Sequence, residues 1–305
     1  MLLPISFFFQ IFFMIVALTQ LLTGIVGNLL IMIVNCKTWI KSKKLSSFDR
    51  ILSSLSITRC ISLCLMFLHL MFSLIFPKSK YPELMSLIIL NSWLFLDTCS
   101  LWIVTLLNIF YCVKIANLNH LLFLWIKRNL SLKTPWPLLA CLLVPIISNF
   151  LQILLNKILQ SVHSTQENVR NSTMVSISDS IFLLMAPVIL SFSLQFIINL
   201  VSCSLLIFSL RRHMQEMQKN ATSFWNPQTK AHVGAMKVII YFLILYVPYS
   251  IAQLIIFLPS FGIRNNWIRS VLIIVNCTYS PGHTIFIILL HPKLKARIKS
   301  ILWCN

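Results

Sequence analysis

The sequence predicts an all-α membrane protein, a bundle of seven transmembrane helices with its N-terminus outside and its C-terminus inside. Of the 305 residues, 58% are hydrophobic and only 10% are charged, whereas a soluble domain usually carries about 25% charged residues. Seven long apolar runs follow one another, and Lys and Arg cluster in alternate connectors between them. This pattern argues against a soluble enzyme and for a multi-pass membrane protein.

The apolar runs predict the position of each helix in turn. They place spans at about 7–34, 51–76, 84–113, 138–157, 179–210, 231–258 and 267–290. Each is close to or above the ~20 residues that a helix needs to cross a bilayer, and runs this long fit helices better than barrel strands. The first run has no basic leading stretch and is too long for a signal-peptide core, so we interpret it as a retained span. We expect one seven-helix domain over the whole chain, ending in a cytoplasmic tail at 291–305.

The distribution of positive charge orients this bundle. The connectors 35–50, 114–137, 211–230 and 291–305, together with Lys237, hold 18 Lys and Arg residues, and the opposite side holds 6. The side that is richer in Lys and Arg is cytoplasmic by the positive-inside rule. The same rule explains the net charge of +19 without nucleic acid as a partner.

A glycosylation acceptor gives an independent check of the orientation. Asn171 begins an Asn-Ser-Thr sequon in the loop between the fourth and fifth spans, which the charge asymmetry places outside. The sequons at Asn129, Asn220 and Asn276 fall in cytoplasmic connectors or within a span. We therefore expect a glycan at Asn171 and none at the other three.

Six segments that occur in order over nearly the whole chain form a recognisable set of motifs. They are Gly24-Ile25-Val26-Gly27-Asn28, Leu45-Ser46-Ser47-Phe48-Asp49-Arg50-Ile51-Leu52, Ile109-Phe110-Tyr111-Cys112-Val113-Lys114-Ile115-Ala116-Asn117, Ser209-Leu210-Arg211-Arg212-His213-Met214, Pro227-Gln228-Thr229-Lys230-Ala231-His232 and His283-Thr284 with His291-Pro292-Lys293-Leu294-Lys295. Together they resemble the type 2 taste receptors, the bitter-taste family. The chain departs from the family in Gln195, where a Pro is frequent, and in Thr284, where the motif has a serine. Neither the Asp-Arg-Tyr nor the Asn-Pro-x-x-Tyr motif of rhodopsin-like receptors occurs.

The resemblance implies a G-protein-coupled receptor in the plasma membrane that detects bitter small molecules and activates a gustducin-type G protein. Vomeronasal pheromone receptors, which are distant relatives, are the nearest alternative. A transporter or a channel is a further alternative, but the chain shows no inverted repeat or filter motif. No catalytic constellation, zinc pattern or P-loop is present, so we expect neither an enzyme, nor a metal site, nor a cofactor.

Arg59 lies inside the second span, where a charge is costly unless it is paired or hydrated. By resemblance it joins a polar network with Asn28 of the first span and Thr284 of the seventh. Its five donors suit such bridging. A purely structural clamp and an interhelical switch that rearranges on activation are both open.

Asp97 is the other ionisable residue deep in a span, and Trp93 lies four residues before it, on the same helix face. By resemblance both line the agonist pocket of the family. An acid beside an aromatic face suits an amine-bearing compound. Alternatively, Asp97 forms an internal ion pair with Arg59, or stays protonated and neutral.

Further pocket candidates rest on resemblance and position. His69 lies ten residues after Arg59, Tyr249 matches an aromatic of span six that moves on activation, and Gln253 lies one turn beyond it. Ile273 and Asn276 are weaker candidates in the seventh span.

The cytoplasmic ends of the spans carry the residues that we expect to face the G protein. They are Lys114, Arg211, Arg212, Lys230 and Lys237. Topology and attraction to anionic lipid explain their charge equally well. The tail at 293–303 is expected to form a short helix on the inner leaflet with Leu294, Ile298, Ile301 and Leu302 towards lipid.

Overall fold

The computed structural model describes residues 3–75, 83–115, 135–166, 177–220, 227–257 and 266–302. These residues form eight helices. They are α1 (Leu3–Ser42), α2 (Ser47–Ile75), α3 (Glu83–Ile115), α4 (Pro135–Gln166), α5 (Ile177–Asn220), α6 (Pro227–Phe257), α7 (Asn266–Leu290) and α8 (Pro292–Leu302).

The first seven helices form the transmembrane bundle. In the described part of the chain, six helices contain a segment long and apolar enough to cross a membrane, and α7 contributes a shorter apolar segment, Ile274–Leu290. The architecture is therefore the all-α seven-helix bundle that the sequence predicts.

The helices surround a common core rather than forming a flat layer. α2 packs along α3, α1 lies against α2 and α7, and α5 joins α3 to α6. Buried aliphatic residues from α2 and α3 fill the centre, among them Ile51, Leu55, Ile103 and Leu107. α4 contacts only α3 and α5 extensively, and only 11% of its membrane segment is buried. α4 is therefore the most peripheral of the six helices that contain a full-length membrane segment.

Local hydrogen bonds set the turn between α1 and α2. Lys43 adopts a left-handed conformation with a φ of 54°, and its N–H donates to the Trp39 carbonyl at 2.7 Å, which is how an αL cap ends a helix. Ser46 then caps α2, because its Oγ accepts from the Asp49 N–H at 3.1 Å and donates to Asp49 Oδ2 at 2.8 Å. The chain can therefore reverse direction within four residues.

Three helices continue well past their apolar runs. α1 reaches Ser42, α4 reaches Gln166 and α5 reaches Asn220, whereas the apolar runs end at about 34, 157 and 210. The extra turns are mostly polar, and no glycine or proline interrupts them. Hydrophobicity marks where a helix enters lipid, and a helix itself ends only where its backbone is capped or broken.

α8 packs on the bundle in a way that corrects the sequence-based expectation. Leu294 and Ile298 are buried in the core instead of facing lipid. Arg297 pairs with Asp49 of α2 at 3.5 Å, and the His291 ring stacks on Phe48 with centroids 4.6 Å apart. The side chains of Ile301 and Leu302 lie outside the described set. α8 is thus an integral part of the bundle.

Candidate ligand-binding and interhelical site

Arg59 ties α2 to α7, and it is 1% exposed. Its Nη1 donates to Thr284 Oγ1 at 3.1 Å and to the Ser280 carbonyl at 3.4 Å. Thr284 Oγ1 lies 3.3 Å from Asn28 Oδ1, so α1 joins the same network. A Cβ added at Gly27 would lie 3.0 Å from Thr284 Cγ2, which shows how closely α1 approaches α7. The structure therefore brings together the three helices that the sequence assigns to this network.

The remaining donors of Arg59 have no hydrogen-bond acceptor within the described chain. These are its Nε and Nη2. On one side the guanidinium lies over the Tyr279 ring, 5.6 Å from its centroid, in a cation–π contact. On another side it lines a cavity of about 20 Å³, a size that admits roughly one water molecule.

Asp97 lines the same cavity from α3. Its Oδ2 accepts a hydrogen bond from the Tyr249 hydroxyl of α6 at 2.9 Å. Within the described residues, the ion pairs closer than 4.0 Å do not include one between Asp97 and Arg59. The hydrogen bond therefore links the acid to α6 while the guanidinium is occupied with α7.

Three further candidates line this cavity. They are Trp93, Gln253 and Asn276. Asn276 Oδ1 is buried and has no hydrogen-bond partner in the described chain. The structure does not place His69 on the cavity, although its Nδ1 is also buried and unpartnered among the described residues. Ile273 lies in α7, and its side chain is not among those described.

Sequence reasoning missed five residues of the cavity wall. They are Ser62, Leu63, Met66, Cys277 and Ser280. Ser62 and Met66 follow Arg59 at three and seven residues, so they share its helix face. That spacing was a usable signal, because one buried charge already fixes which face of α2 points inwards.

A second polar cluster lies between α3, α5 and α6. Asn199 is fully buried, its Oδ1 accepts from Asn108 Nδ2 at 2.7 Å, and its Nδ2 lies 2.8 Å from Thr105 Oγ1 and 3.1 Å from the Tyr246 hydroxyl. Gln195 lies one turn before it and, with its amide oxygen turned towards α3, accepts from Trp102 Nε1 at 2.6 Å. Gln195, which stands where the family often has a proline, therefore joins α5 to α3.

An aromatic stack connects the two clusters, and it consists of Phe242, Tyr246, Tyr249, Tyr279 and His283. Along α6, the ring centroids of Phe242 and Tyr246 are 5.0 Å apart and those of Tyr246 and Tyr249 are 6.4 Å apart. Tyr249 crosses to Tyr279 of α7 at 4.5 Å, and Tyr279 lies 5.8 Å from His283. Because Tyr249 also bonds Asp97, the stack begins at the cavity.

The family model described as Taste receptor protein (TAS2R) matches residues 6–305. The chain belongs to the type 2 taste receptor family. It is 50% identical over 279 residues to Taste receptor type 2 member 4 of Homo sapiens, covering 92% of each chain. It is 47% identical to the protein of that name in Rattus norvegicus and 45% identical to that of Mus musculus, in each case over 280 residues. These matches make it a bitter-taste receptor of the G-protein-coupled class.

The residues of this taste receptor that are predicted to face the G protein lie towards the ends of three helices. Arg211 and Arg212 are exposed near the end of α5, and Lys237 is exposed in α6. Lys114 is in the last turn of α3 and Lys230 in the first turn of α6, and their side chains are outside the described set. Asn171 lies outside the described residues.

Proposed function

We propose that this taste receptor, in the plasma membrane, binds bitter small molecules at the Trp93–Asp97 site, amines among them, and activates a gustducin-type G protein. The observation that carries the proposal is the hydrogen bond between Asp97 and Tyr249. It joins a carboxylate of the candidate binding site to α6, which carries three of the five rings of the aromatic stack.

The surroundings of Asp97 favour a cationic ligand. Trp93 lies one turn away and lines the same cavity. The described residues place no cation within ion-pair distance of the carboxylate. A buried acid with no cation in ion-pair contact is costly. The cavity admits roughly one water molecule, so the group of a ligand that fits it is an ammonium of about that size, which pairs with Asp97 and lies against the Trp93 ring.

Ligand binding at this site can change the structure on the opposite side of the membrane through α6. An ammonium on Asp97 competes with the Tyr249 hydroxyl for the same oxygens. Release of Tyr249 frees α6 at the point where its stack meets α7. Movement of α6 would then open the inner end of the bundle near Lys237 and Arg211 for the C-terminal helix of a G protein, a type of switch known for packed helices.

The test is a calcium assay in cells that express the receptor with a chimeric G protein ending in the gustducin sequence. A panel of bitter compounds is applied, divided into amines and neutral molecules. We expect at least one compound to raise calcium only when receptor and chimera are both present. If no bitter compound gives a signal above that of untransfected cells, at verified surface expression, the proposal is wrong.

A further inference from the structure

A larger cavity lies beside the Asp97 site, between α3, α4 and α5, and we call it the side cavity. Its volume is about 190 Å³. Its wall includes Thr98 of α3, Ser148 and Asn149 of α4, and Ser191 of α5. None of its lining residues is ionisable, so it offers hydrogen bonds without a charge.

The sequence of α4 points to this cavity independently. From 138 to 155 the helix is apolar except for Ser148, Asn149, Gln152 and the weakly polar Cys141. All three of the strongly polar residues line the side cavity. Their spacing of one and three residues puts them on one face, on a helix whose other faces are mostly exposed apolar surface. The strongly polar groups of this stretch of α4 therefore all lie on the wall that faces the side cavity.

Two of these side chains have no hydrogen-bond partner among the described residues. Neither Ser148 nor Asn149 makes a side-chain hydrogen bond to another group of the described chain, and Ser148 is 9% exposed. Polar groups in a membrane interior are costly unless they are hydrogen-bonded. A ligand with donors and acceptors would satisfy them.

We propose that the side cavity is a second ligand-binding site, for uncharged molecules of about one ring that carry hydrogen-bonding groups. A cavity of about 150 Å³ is known to admit benzene, so the observed volume suits one substituted ring. This assignment rests on the proposed function as a small-molecule receptor, but it concerns a different wall of the bundle and a different class of agonist.

The side cavity is in contact with the same signalling elements as the Asp97 site. Gln253 of α6 lines both cavities. Phe192 of α5 lines the side cavity, and its ring centroid lies 6.4 Å from that of Tyr249. A ligand here therefore contacts α6 next to the Asp97–Tyr249 hydrogen bond. Binding at either site should then favour the same movement of α6.

The test compares two probes of nearly equal size on the purified receptor in lipid nanodiscs. Benzamide is neutral and has an amide donor and acceptor, and benzylamine carries an ammonium on the same ring. The measurement is the rise in unfolding temperature with probe concentration. We expect Ser148→Phe, which fills the side cavity, to abolish stabilisation by benzamide and to leave that by benzylamine intact. Asn149→Leu, which removes hydrogen bonds at similar volume, should have the same selectivity.

Two controls make the result decisive. Ile147→Phe adds the same ring one residue earlier, on a side chain that is 55% exposed, and should retain benzamide binding. Asp97→Asn should lose benzylamine and retain benzamide. The proposal is overturned if benzamide does not stabilise the wild-type receptor, or stabilises Ser148→Phe and Asn149→Leu as well as the wild type. Because binding is read without a G protein, a failed calcium assay beside Ser148-dependent benzamide binding would refute only the proposed function.

Discussion

Among single residues, Asp97 has the most consequential surroundings, because its carboxylate faces a cavity and also holds the Tyr249 hydroxyl of α6. A carboxylate with both contacts can exchange the hydrogen bond from the Tyr249 hydroxyl for one from a donor group of a ligand. Its charge, rather than its shape, is what an amine would recognise.

Asp97→Asn keeps the size of the side chain and removes its charge. A charge-assisted hydrogen bond is worth roughly 1.5–3 kcal/mol, so amine agonists should become roughly ten- to hundredfold weaker. Neutral agonists should be unaffected in the same calcium assay.

Tyr249→Phe is the matched control, since it deletes the hydroxyl partner and retains the carboxylate. It should change basal signalling without the selective loss of amines. Unchanged potency of every amine on Asp97→Asn, at normal surface expression, would show that Asp97 is not a counter-ion.

Arg59 is the second decisive residue, and its loss should affect assembly of the bundle. Arg59→Ala removes the bonds to Thr284 and Ser280, so we expect lower surface expression or altered basal signalling. Arg59→Lys should restore little of the expression or signalling, because a single ammonium cannot reproduce the planar, forked donor geometry of the guanidinium.

The control for Arg59 is Ile61→Ala, a truncation on the same helix at a side chain that is 48% exposed. Surface labelling and basal calcium measure both variants. Arg59→Ala with the expression and signalling of Ile61→Ala would contradict the bridging role.

At the scale of secondary-structure elements, α8 is fastened to the bundle by its apolar face as well as by the Arg297–Asp49 pair. The pair is partly exposed, with Arg297 side-chain exposure of 40%, and exposed pairs usually contribute little. Burial of Leu294 and Ile298 must therefore carry most of the attachment.

Leu294→Ala tests this attachment. Leu294 is 3% exposed, and truncating a buried leucine costs roughly 2–5 kcal/mol. We expect a clear drop in the unfolding temperature of the purified receptor. Lys295→Ala, at the neighbouring exposed position, should unfold like the wild type, and a Leu294→Ala curve equal to that control would place α8 outside the folded core.

The helix pattern was predictable from sequence because lipid imposes a single rule, that long apolar runs are helices. Helix ends were less predictable, as α1 and α5 show, because a polar helix continues beyond lipid without a hydrophobic signal. The inner face of α8 was predicted wrongly, because an amphipathic pattern does not say whether its apolar side meets lipid or protein.

The candidate site was also predictable from sequence only in part. Arg59, Asn28 and Thr284 were found together, since a buried charge and a family motif mark them. The cluster around Asn199 was missed, because an asparagine in a span says nothing about its partners until the helices are packed. The side cavity was also missed, although the three polar residues of α4 were readable in the sequence.

At the scale of the whole molecule, the unequal distribution of Lys and Arg predicts the topology. The connectors assigned to the cytoplasm, together with Lys237, hold 18 of these residues against 6 on the other side. That assignment puts Asn171 outside the cell, where glycans are added.

Asn171→Gln should remove the mass shift that glycosidase treatment produces in the wild-type receptor. Asn129→Gln and Asn220→Gln, at sequons on the opposite side, are the controls and should leave the shift unchanged. A glycan that persists in Asn171→Gln and disappears with Asn129→Gln or Asn220→Gln would reverse the orientation.

The aromatic stack determines how the response should grow with concentration. Its rings bridge α6 and α7 at three points, Phe242–His283, Tyr246–Tyr279 and Tyr249–Tyr279, so rotation of α6 against α7 separates the bridging contacts together. Each aromatic pair contributes about 0.5–1.5 kcal/mol beyond the burial of its surface. An intermediate rotation of α6 would keep none of these contacts at full strength. We therefore expect all-or-none behaviour of the individual molecule. A stronger taste stimulus would then increase the number of receptors that have switched, and each switched receptor would signal to the same extent.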